Sequence, residues 1–301
     1  ADLVTKYGLV PKDVMAETLV SNSTNEFCGH LKRKLREFGI QLREKSQAGA
    51  DEKELQAMKV EQLKTVYRLL VLAYGEPPKK FTWAPMKNGK TIGEPKTYTP
   101  QEFYREVCAE GEDLNADFVM LMNDPSRPYD QVYEIDYDRH VYDGHNWLYV
   151  NLDIEELKPL AIASLKDSTQ MYFSCDVGKF MDRNTGMLDL KNFDYESLLG
   201  TSFGMTKKQR IQTFDSGSSH AMTLMAVDLD KNGKPVKWKV ENSWGASSGH
   251  NGYMIMTDEW FNEYMFRVVV NKKYCTPKVL ELMKKKPIRL PAWDPMFADE
   301  Q

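Results

Sequence analysis

The spacing of apolar residues changes once along this chain, near residue 115, and this change restricts the possible folds more than any other feature. Before it, apolar residues such as Phe27, Leu31 and Leu35 recur every three or four positions, which is the spacing of one face of a helix. After it, short β-branched and aromatic runs such as residues 132–135 and 147–150 are typical of strands. A block of helices followed by a mainly antiparallel sheet indicates the α+β class.

Helix starts are predicted at three places in the first part of the chain. Each has side chains that accept hydrogen bonds from the first N–H groups of a helix, and two have the spacing of a capping box. These starts are the polar residues 21–25, Asp51 with Glu54, and Thr99 with Glu102. Residues 1–20 are expected to be irregular, and residues 76–98 are expected to form a loop.

The part after residue 115 is predicted to hold strands around one further helix. Asp153 caps that helix, which runs to about Lys166. Residues 178–217 are punctuated by Gly, Asp and Ser, so we expect mostly loop there. The remaining predicted strands are residues 171–177, 220–230, 235–244, 252–257 and 265–271.

Composition argues against several classes of protein. The 301 residues carry 40 basic and 44 acidic side chains, and this net charge of −4 argues against a nucleic-acid binder that relies on phosphate attraction. No apolar run approaches the ~18 residues that a membrane span needs. The four cysteines lie far apart without paired spacing, which favours a reducing compartment over a secreted scaffold.

One segment combines a hairpin signal with residues that carry chemistry. Two strand-like runs flank the turn Lys231-Asn232-Gly233, whose Asn-Gly pair is typical of hairpins. If these three residues form the loop, His220, Asn242 and Trp244 all project from one face of the two strands. His220 and Asn242 are then diagonal neighbours, roughly 7 Å apart at the backbone. A two-residue turn would move Asn242 to the opposite face unless a bulge restored the register.

A histidine and an asparagine on one face have a clear chemical use. A histidine that acts as general base presents one ring nitrogen to a nucleophile while a fixed acceptor holds the other nitrogen. The side-chain oxygen of Asn242 can hold His220 in this way, and a neutral acceptor suits a thiolate–imidazolium pair. We expect Trp244 to shield this hydrogen bond from water.

These residues resemble the papain-like cysteine peptidases, through His220-Ala221-Met222 and Glu241-Asn242-Ser243-Trp244-Gly245. Further segments narrow the resemblance to the bleomycin hydrolase and aminopeptidase C branch, and they occur in order from the first ten residues to the last ten. The segments are Tyr7-Gly8-Leu9-Val10-Pro11-Lys12, Thr99-Pro100-Gln101-Glu102-Phe103-Tyr104, Cys175-Asp176-Val177-Gly178, Trp238-Lys239-Val240-Glu241-Asn242-Ser243-Trp244-Gly245 and Leu290-Pro291-Ala292-Trp293-Asp294-Pro295-Met296.

The resemblance implies a papain-like α+β fold with a helical insertion and a C-terminal antiparallel β domain. It implies a thiol-dependent aminopeptidase with His220 and Asn242 as catalytic residues and with no metal or other cofactor. It further implies a cytoplasmic homo-hexamer that acts on peptides, without a nucleic-acid or membrane partner.

The resemblance also implies a division of the chain. In that family the C-terminal arm lies in the active-site cleft, so Gln301 is a candidate substrate-binding residue. The implied parts are residues 1–24 as a remnant of the N-terminal helical lobe, 25–115 as the helical insertion, 116–289 as the β-rich lobe and 290–301 as the C-terminal arm.

None of the four cysteines matches the nucleophile that the resemblance requires. In the family a Cys followed by Trp, at the start of a helix, attacks the substrate. The cysteines here precede Gly29, Ala109, Asp176 and Thr276. We therefore expect the fold to be N-terminally incomplete, with the catalytic Cys on a separate N-terminal chain or segment, and this chain to be inactive alone.

Three other interpretations remain open. The first is a non-catalytic assembly or binding subunit that keeps the fold without the nucleophile. Cys28, in the first turn of a predicted helix, is the best nucleophile that the chain itself offers. The third interpretation is a metal site, formed by the one cluster in the sequence with metal-binding residue types. The spacing within this cluster matches no zinc or calcium pattern. That cluster is Asp136, Asp138, His140, Asp143 and His145.

Overall fold

The computed structural model describes residues 1–109 and 111–294 and has two compact units. The first unit comprises residues 1 and 3–111, and the second comprises residues 2 and 112–301. Within the described residues, no helix is both long enough and apolar enough to cross a bilayer. The proposed division into four functional parts stays a prediction.

The first unit is mainly helical, and its two long helices begin where the sequence predicts. The Asp51 carboxylate accepts a hydrogen bond from the Glu54 N–H at 2.8 Å, so the expected capping box is formed. Residues 1–20, expected to be irregular, contain one short helix and the start of another. The helices are α1 (Asp2–Tyr7), α2 (Leu19–Asn22), α3 (Asn25–Gln47), α4 (Glu52–Tyr74) and α5 (Pro100–Phe103), which continues as a wider π-helical turn over Tyr104–Cys108.

The loop predicted over residues 76–98 contains four short strands, so that prediction is wrong in part. Phe103 of α5 meets Phe81 and Trp83 edge-on, with ring centroids 5.4 and 5.1 Å apart. This aromatic contact joins residues about twenty positions apart, and local spacing does not reveal it. The strands are β1 (Phe81–Trp83), β2 (Met86–Lys87), β3 (Lys90–Thr91) and β4 (Lys96–Tyr98), with β1 antiparallel to β4 and β2 antiparallel to β3.

Gly8 shows why one of the family-like segments needs its glycine. Its φ of +81° lies in the region that favours glycine, and a Cβ there would stand 2.1 Å from the carbonyl carbon of Pro100. Next to it, the Leu9 N–H donates to the Pro100 carbonyl oxygen at 3.0 Å. The close approach of two backbone segments therefore excludes any side chain at position 8.

The second unit is built on one sheet, which contains eleven strands among the described residues. Seven of its ten strand pairs are antiparallel, so the predicted mainly antiparallel sheet is confirmed. The strands are β5 (Phe118–Met122), β6 (Gln131–Ile135), β7 (Leu148–Asn151), β8 (Met171–Cys175), β9 (Met181–Asp182), β10 (Met187–Leu188), β11 (His220–Leu229), β12 (Pro235–Glu241), β13 (Tyr253–Thr257), β14 (Met265–Asn271) and β15 (Ile288–Leu290). Their order across the sheet is β15-β6-β7-β5-β14-β8-β11-β12-β13-β10-β9.

Helices pack on this sheet and enclose its core. The helix predicted from Asp153 is confirmed, and the Asp153 carboxylate caps it by accepting from the Glu155 N–H at 2.9 Å. Trp238 of β12 stacks on Phe261 at 4.3 Å, and both side chains are almost fully buried. The helices of this unit are α6 (Ile154–Lys166), α7 (Tyr195–Leu199), α8 (Lys207–Gln212), α9 (Asp258–Tyr264) and α10 (Pro277–Leu282), with a short 3₁₀ turn at Lys272–Tyr274.

The β11–β12 hairpin has the predicted three-residue loop. The Asp230 N–H donates to the Lys234 carbonyl oxygen at 2.8 Å, and Gly233 has a φ of +78°. Two irregularities then interrupt the ladder, and the one around Met225 is a bulge in β11. Beyond it Thr223 pairs with Glu241, which is the register that the three-residue loop predicts for the functional end of the hairpin.

Candidate active site

His220 and Asn242 lie side by side at the end of the hairpin that is farthest from its turn. His220 is the first residue of β11, and Asn242 directly follows the last residue of β12. Because the bulge keeps both side chains on one face, the His220 Nε2 and Asn242 Oδ1 atoms are 2.9 Å apart. The juxtaposition predicted from the sequence is therefore present in the structure, and what it does chemically is a separate question.

The backbone around Asn242 decides which nitrogen of His220 carries a proton. The Ser243 N–H donates to the same Asn242 Oδ1 atom at 2.7 Å, so that atom must be the amide oxygen. An oxygen can only accept, which makes His220 Nε2 the donor. In the neutral ring the other nitrogen, Nδ1, then has a lone pair and can act as a base.

Asn242 is held firmly enough to orient the histidine. Its side chain is buried, its backbone N–H donates to the Gly252 carbonyl oxygen at 2.9 Å, and its Nδ2 lies 3.2 Å from the Met254 sulfur. His220 Nδ1, by contrast, has no hydrogen bond to the residues that the structure describes. The ring thus has one fixed nitrogen and one nitrogen available to a reacting group.

Trp244 covers the histidine ring on one side. The two ring centroids are 5.0 Å apart with a tilt of 39°. The Trp244 side chain is itself partly exposed, and the Arg183 guanidinium lies 5.8 Å from its ring centroid. The indole therefore packs against the His220 ring, and its shielding of the His220–Asn242 hydrogen bond stays a prediction.

An open groove lies next to this pair and is lined in part by Asn242. It is open to solvent, and its lining residues come from β8, β11, the end of β12 and the two residues after β12. The lining residues are Tyr172, Ala221, Met222, Thr223, Glu241, Asn242 and Ser243.

Cys175 is paired with His220 across the sheet, a neighbour that sequence spacing did not reveal. The two residues are opposed in the β8–β11 ladder. The Cys175 side chain is completely buried, and burial raises the pKa of its thiol well above the usual value. A thiol without access to solvent and with a raised pKa is a poor nucleophile, so Cys175 belongs to the core.

Cys108 and Cys275 offer no activated thiol either. Burial raises the pKa of Cys275 to about 11 and also raises the pKa of Cys108. Cys28 lies in the first turn of α3 in the first unit, where its backbone N–H donates to the Thr24 carbonyl oxygen. All four cysteines are free thiols. Within the second unit, neither Cys175 nor Cys275 forms a hydrogen bond with His220 Nδ1.

Two further candidates from the sequence are a metal site in residues 136–145 and the substrate-binding residue Gln301. Within residues 1–109 and 111–294 no group of three or more His, Cys, Asp or Glu side chains is placed to hold a metal ion. Gln301, predicted to bind substrate, lies outside the described residues.

Comparison with known proteins identifies similar chains. The profile of the Peptidase C1-like family matches residues 1–297. Bleomycin hydrolase of Homo sapiens is 38% identical over 303 residues, which cover 99% of this chain and 66% of that protein. Aminopeptidase E of Lactobacillus helveticus is 40% identical over 294 residues, with 98% and 66% covered. This chain therefore spans only 66% of the length of either relative.

A solved structure is similar over nearly the whole chain. The crystal structure of PepW from Lactobacillus rhamnosis HN001 superimposes with a TM-score of 0.91 at 37% identity, covering 98% of this chain and 67% of that one. The two chains therefore share their fold as well as much of their sequence.

Proposed function

The chain belongs to the Peptidase C1-like family, in its bleomycin hydrolase and aminopeptidase branch, and from this premise we propose that it carries two catalytic residues of a thiol-dependent aminopeptidase. His220 is the general acid and base, and Asn242 orients it. The substrates are peptides, from which single residues are removed at the N-terminus. Relatives named aminopeptidase W, E, C and G support this class of reaction.

One observation carries the proposal: the hydrogen bond of 2.9 Å between His220 Nε2 and Asn242 Oδ1, with that oxygen fixed by the Ser243 N–H. This arrangement fixes the ring and leaves Nδ1 directed away from Asn242. It is the geometry that a thiol–imidazole pair requires, because the base must be oriented before it meets the nucleophile.

The proposed reaction passes through a thioester. The thiol gives its proton to His220 Nδ1, and the thiolate forms a bond to the carbonyl carbon of the first peptide bond. As the C–N bond breaks, His220 returns the proton to the leaving amine. A water molecule then gives a proton to His220 and attacks the thioester, which releases the first residue and restores the thiol.

The thiol comes from outside these 301 residues in this proposal. None of the four cysteines combines an accessible thiol with a position next to His220 Nδ1 within the second unit, and the relatives are longer than this chain. We place the nucleophile on an N-terminal chain or segment that associates with this one. The complete enzyme is proposed to be a cytoplasmic homo-hexamer, and this chain alone is proposed to be inactive.

Residues 290–301 form the proposed C-terminal arm, with Gln301 at its end. In the resembling family the corresponding arm limits cleavage to the first residue of a substrate. In this proposal Gln301 contributes to binding the N-terminal end of a peptide substrate.

Substitution of His220 tests the proposed function directly. In an active assembly that contains this chain, we expect His220→Ala to lower kcat on aminoacyl substrates on the order of 10³-fold, because the proton transfers lose their acid and base. His140→Ala, at an exposed loop of the same unit, is the matched control and keeps wild-type activity. Thiol alkylation should inhibit the assembly, whereas a metal chelator should not.

A His220→Ala enzyme with activity within about tenfold of wild type would exclude this assignment. Turnover by the chain alone that is lost in a Cys28→Ser variant would make Cys28 the nucleophile. An inert assembly under all conditions would favour the non-catalytic binding subunit.

A further inference from the structure

Asp176 is a buried carboxylate beside the segment that leads into His220. It directly follows β8, and only 6% of its surface is exposed. Its backbone N–H donates to the Tyr264 carbonyl oxygen at 3.0 Å, which ties the end of β8 to the end of α9. The proposed mechanism uses no group at this position, so the burial of a charge there needs another reason.

The two carboxylate oxygens of Asp176 hold two serines of one short segment. Ser216 Oγ donates to Oδ2 at 2.7 Å, in a buried hydrogen bond, and Ser219 Oγ lies 3.4 Å from Oδ1 in a longer and weaker contact. A hydroxyl donor to an ionised carboxylate makes a stronger bond than a neutral pair does. Asp176 therefore fastens both ends of residues 216–219.

This fastened segment ends at the residue before His220. The Ser219 N–H donates to the Cys175 carbonyl oxygen at 3.2 Å, and Cys175 is the cross-strand partner of His220. The backbone entering His220 is thus held by Asp176 and Cys175, whereas the ring of His220 is held by Asn242. The position of the His220 ring is therefore set by two separate attachments, one of its backbone and one of its side chain.

We propose that Asp176 is a positioning residue for His220, through Ser216 and Ser219. The expected effect on kcat rests on the proposed function, whereas the effect on the position of the His220 ring does not. A carboxylate suits the task because it only accepts hydrogen bonds, so both of its oxygens can serve hydroxyl donors at the same time. Loss of this attachment lets residues 216–219 and the start of β11 move, and a displacement of about 1 Å of a catalytic group can cost 10²-fold in rate.

Asp176 could instead stabilise the fold without affecting the histidine, and a matched variant separates the two roles. Asp124 is a second buried carboxylate of the same unit, and it accepts from the Ser126 N–H and hydroxyl group. It follows β5, which is separated from β8 by β14 in the sheet. Asp124→Ala therefore removes a comparable buried carboxylate without touching the segment before His220.

The experiment compares Asp176→Ala, Asp176→Asn and Asp124→Ala in the active assembly. We expect Asp176→Ala to lower kcat at least about tenfold while KM for an aminoacyl amide changes less than about twofold, because the base is displaced and the binding surface remains. Asp176→Asn restores most of kcat, since its side-chain oxygen still accepts from Ser216. Asp124→Ala, which also removes a partner of Arg127, lowers the melting temperature and serves as the control for the nitrogen-15 signal of His220.

A second measurement on the chain does not depend on activity. Nitrogen-15 NMR of His220 reports the proton on Nε2, and we expect Asp176→Ala to broaden or remove that signal while Asp124→Ala leaves it sharp. Wild-type kcat together with a sharp Nε2–H signal in Asp176→Ala would overturn the positioning role. If the signal responds but His220→Ala leaves peptidase activity unchanged, the proposed function fails and the attachment through Asp176 remains.

Discussion

At the scale of single residues, Ser243 determines the chemistry of the proposed base without using its side chain. Its backbone N–H identifies Asn242 Oδ1 as the acceptor, and that acceptor in turn places the His220 proton on Nε2. Asn242 therefore acts through the orientation of its side-chain amide, whose oxygen faces His220, and not through a charge.

Substitution of Asn242 should affect the rate rather than the fold. We expect Asn242→Ala to reduce kcat on the order of 10²-fold in the active assembly, because His220 loses the acceptor that orients it. Asn242→Asp keeps an acceptor and should retain more activity than Asn242→Ala. Asn151→Ala, at a buried amide whose Nδ2 donates to the Asp124 carbonyl oxygen at 2.9 Å, is the control that loses stability but not kcat. Equal kcat values for the two alanine variants would contradict this role.

Lys207 gives the second unit a pH-dependent stability. Burial lowers the pKa of its ammonium group to about 7, although three acceptors surround its Nζ, at Asn123 Oδ1 and the carbonyl oxygens of Asn262 and Met265. The unfolded chain keeps an ordinary lysine pKa of about 10.4 and so binds more protons than the folded chain between these values. The free energy of unfolding contributed by Lys207 therefore rises with pH in this window.

Comparison with Lys207→Met isolates this contribution. Urea unfolding at pH 7 and pH 9.5 should show the wild type gaining stability relative to the variant as pH rises, with a slope of at most about 1.4 kcal/mol per pH unit. Other titrating groups are common to both proteins and cancel in the difference. A constant difference would mean that the three acceptors keep Lys207 protonated throughout.

At the scale of elements, the hairpin turn fixes which side of the sheet carries the site. Gly233 closes the three-residue loop with a φ of +78°, and a Cβ built there has no heavy atom within 4 Å. Any penalty for a side chain at this position therefore comes from backbone strain and not from a clash.

Two glycine substitutions test this point as a matched pair. We expect Gly233→Ala to lower the free energy of unfolding by about 1–2 kcal/mol, the cost of the left-handed conformation for a residue with a Cβ. Gly178 also has open space around it but no positive φ, so Gly178→Ala should be neutral or stabilise by up to about 1 kcal/mol. Urea unfolding of both variants is the measurement, and equal effects would exclude backbone strain as the cause.

Sequence patterns predicted elements whose signals are local and missed those defined by distant contacts. The hairpin, its loop and the His220–Asn242 pair followed from the turn residues and the alternation of strands. The strand Phe118–Met122 did not, because an apolar run without alternation fits a buried strand and a buried helix segment equally. The proton on Nε2 and the Asp176 attachment depend on side-chain directions, and these cannot be derived from the spacing of residues in the sequence.

At the scale of the molecule, the last described residue is fixed to the loop between β5 and β6 of its own unit. The Arg127 Nη2 atom donates to both carboxylate oxygens of Asp294, at 2.8 and 3.0 Å, while Arg127 Nε contacts the Asp124 carboxylate at 2.9 Å. Arg127 and both carboxylates are largely buried, so this bidentate contact is shielded from water and salt. The base of the proposed C-terminal arm therefore has a defined position.

The final prediction concerns the proposed arm, whose last residues lie outside the described part of the chain. An open papain-like groove accepts peptide on both sides of the scissile bond, so restriction to the first residue requires that one side be blocked. If residues 290–301 block it, deletion of Phe297–Gln301 from an active assembly should raise cleavage of N-terminally blocked peptides and lower cleavage of free-amine peptides.

A second variant separates the length of the arm from its charge. Asp299→Asn with Glu300→Gln keeps the length of the arm and removes two negative charges, so it should keep the exclusion of blocked peptides while weakening attraction of the α-ammonium group. The ratio of kcat/KM for blocked and free peptides is the measurement for both variants. An unchanged ratio after deletion would show that restriction to the N-terminus arises elsewhere, since the obstacle would have been removed without opening the groove.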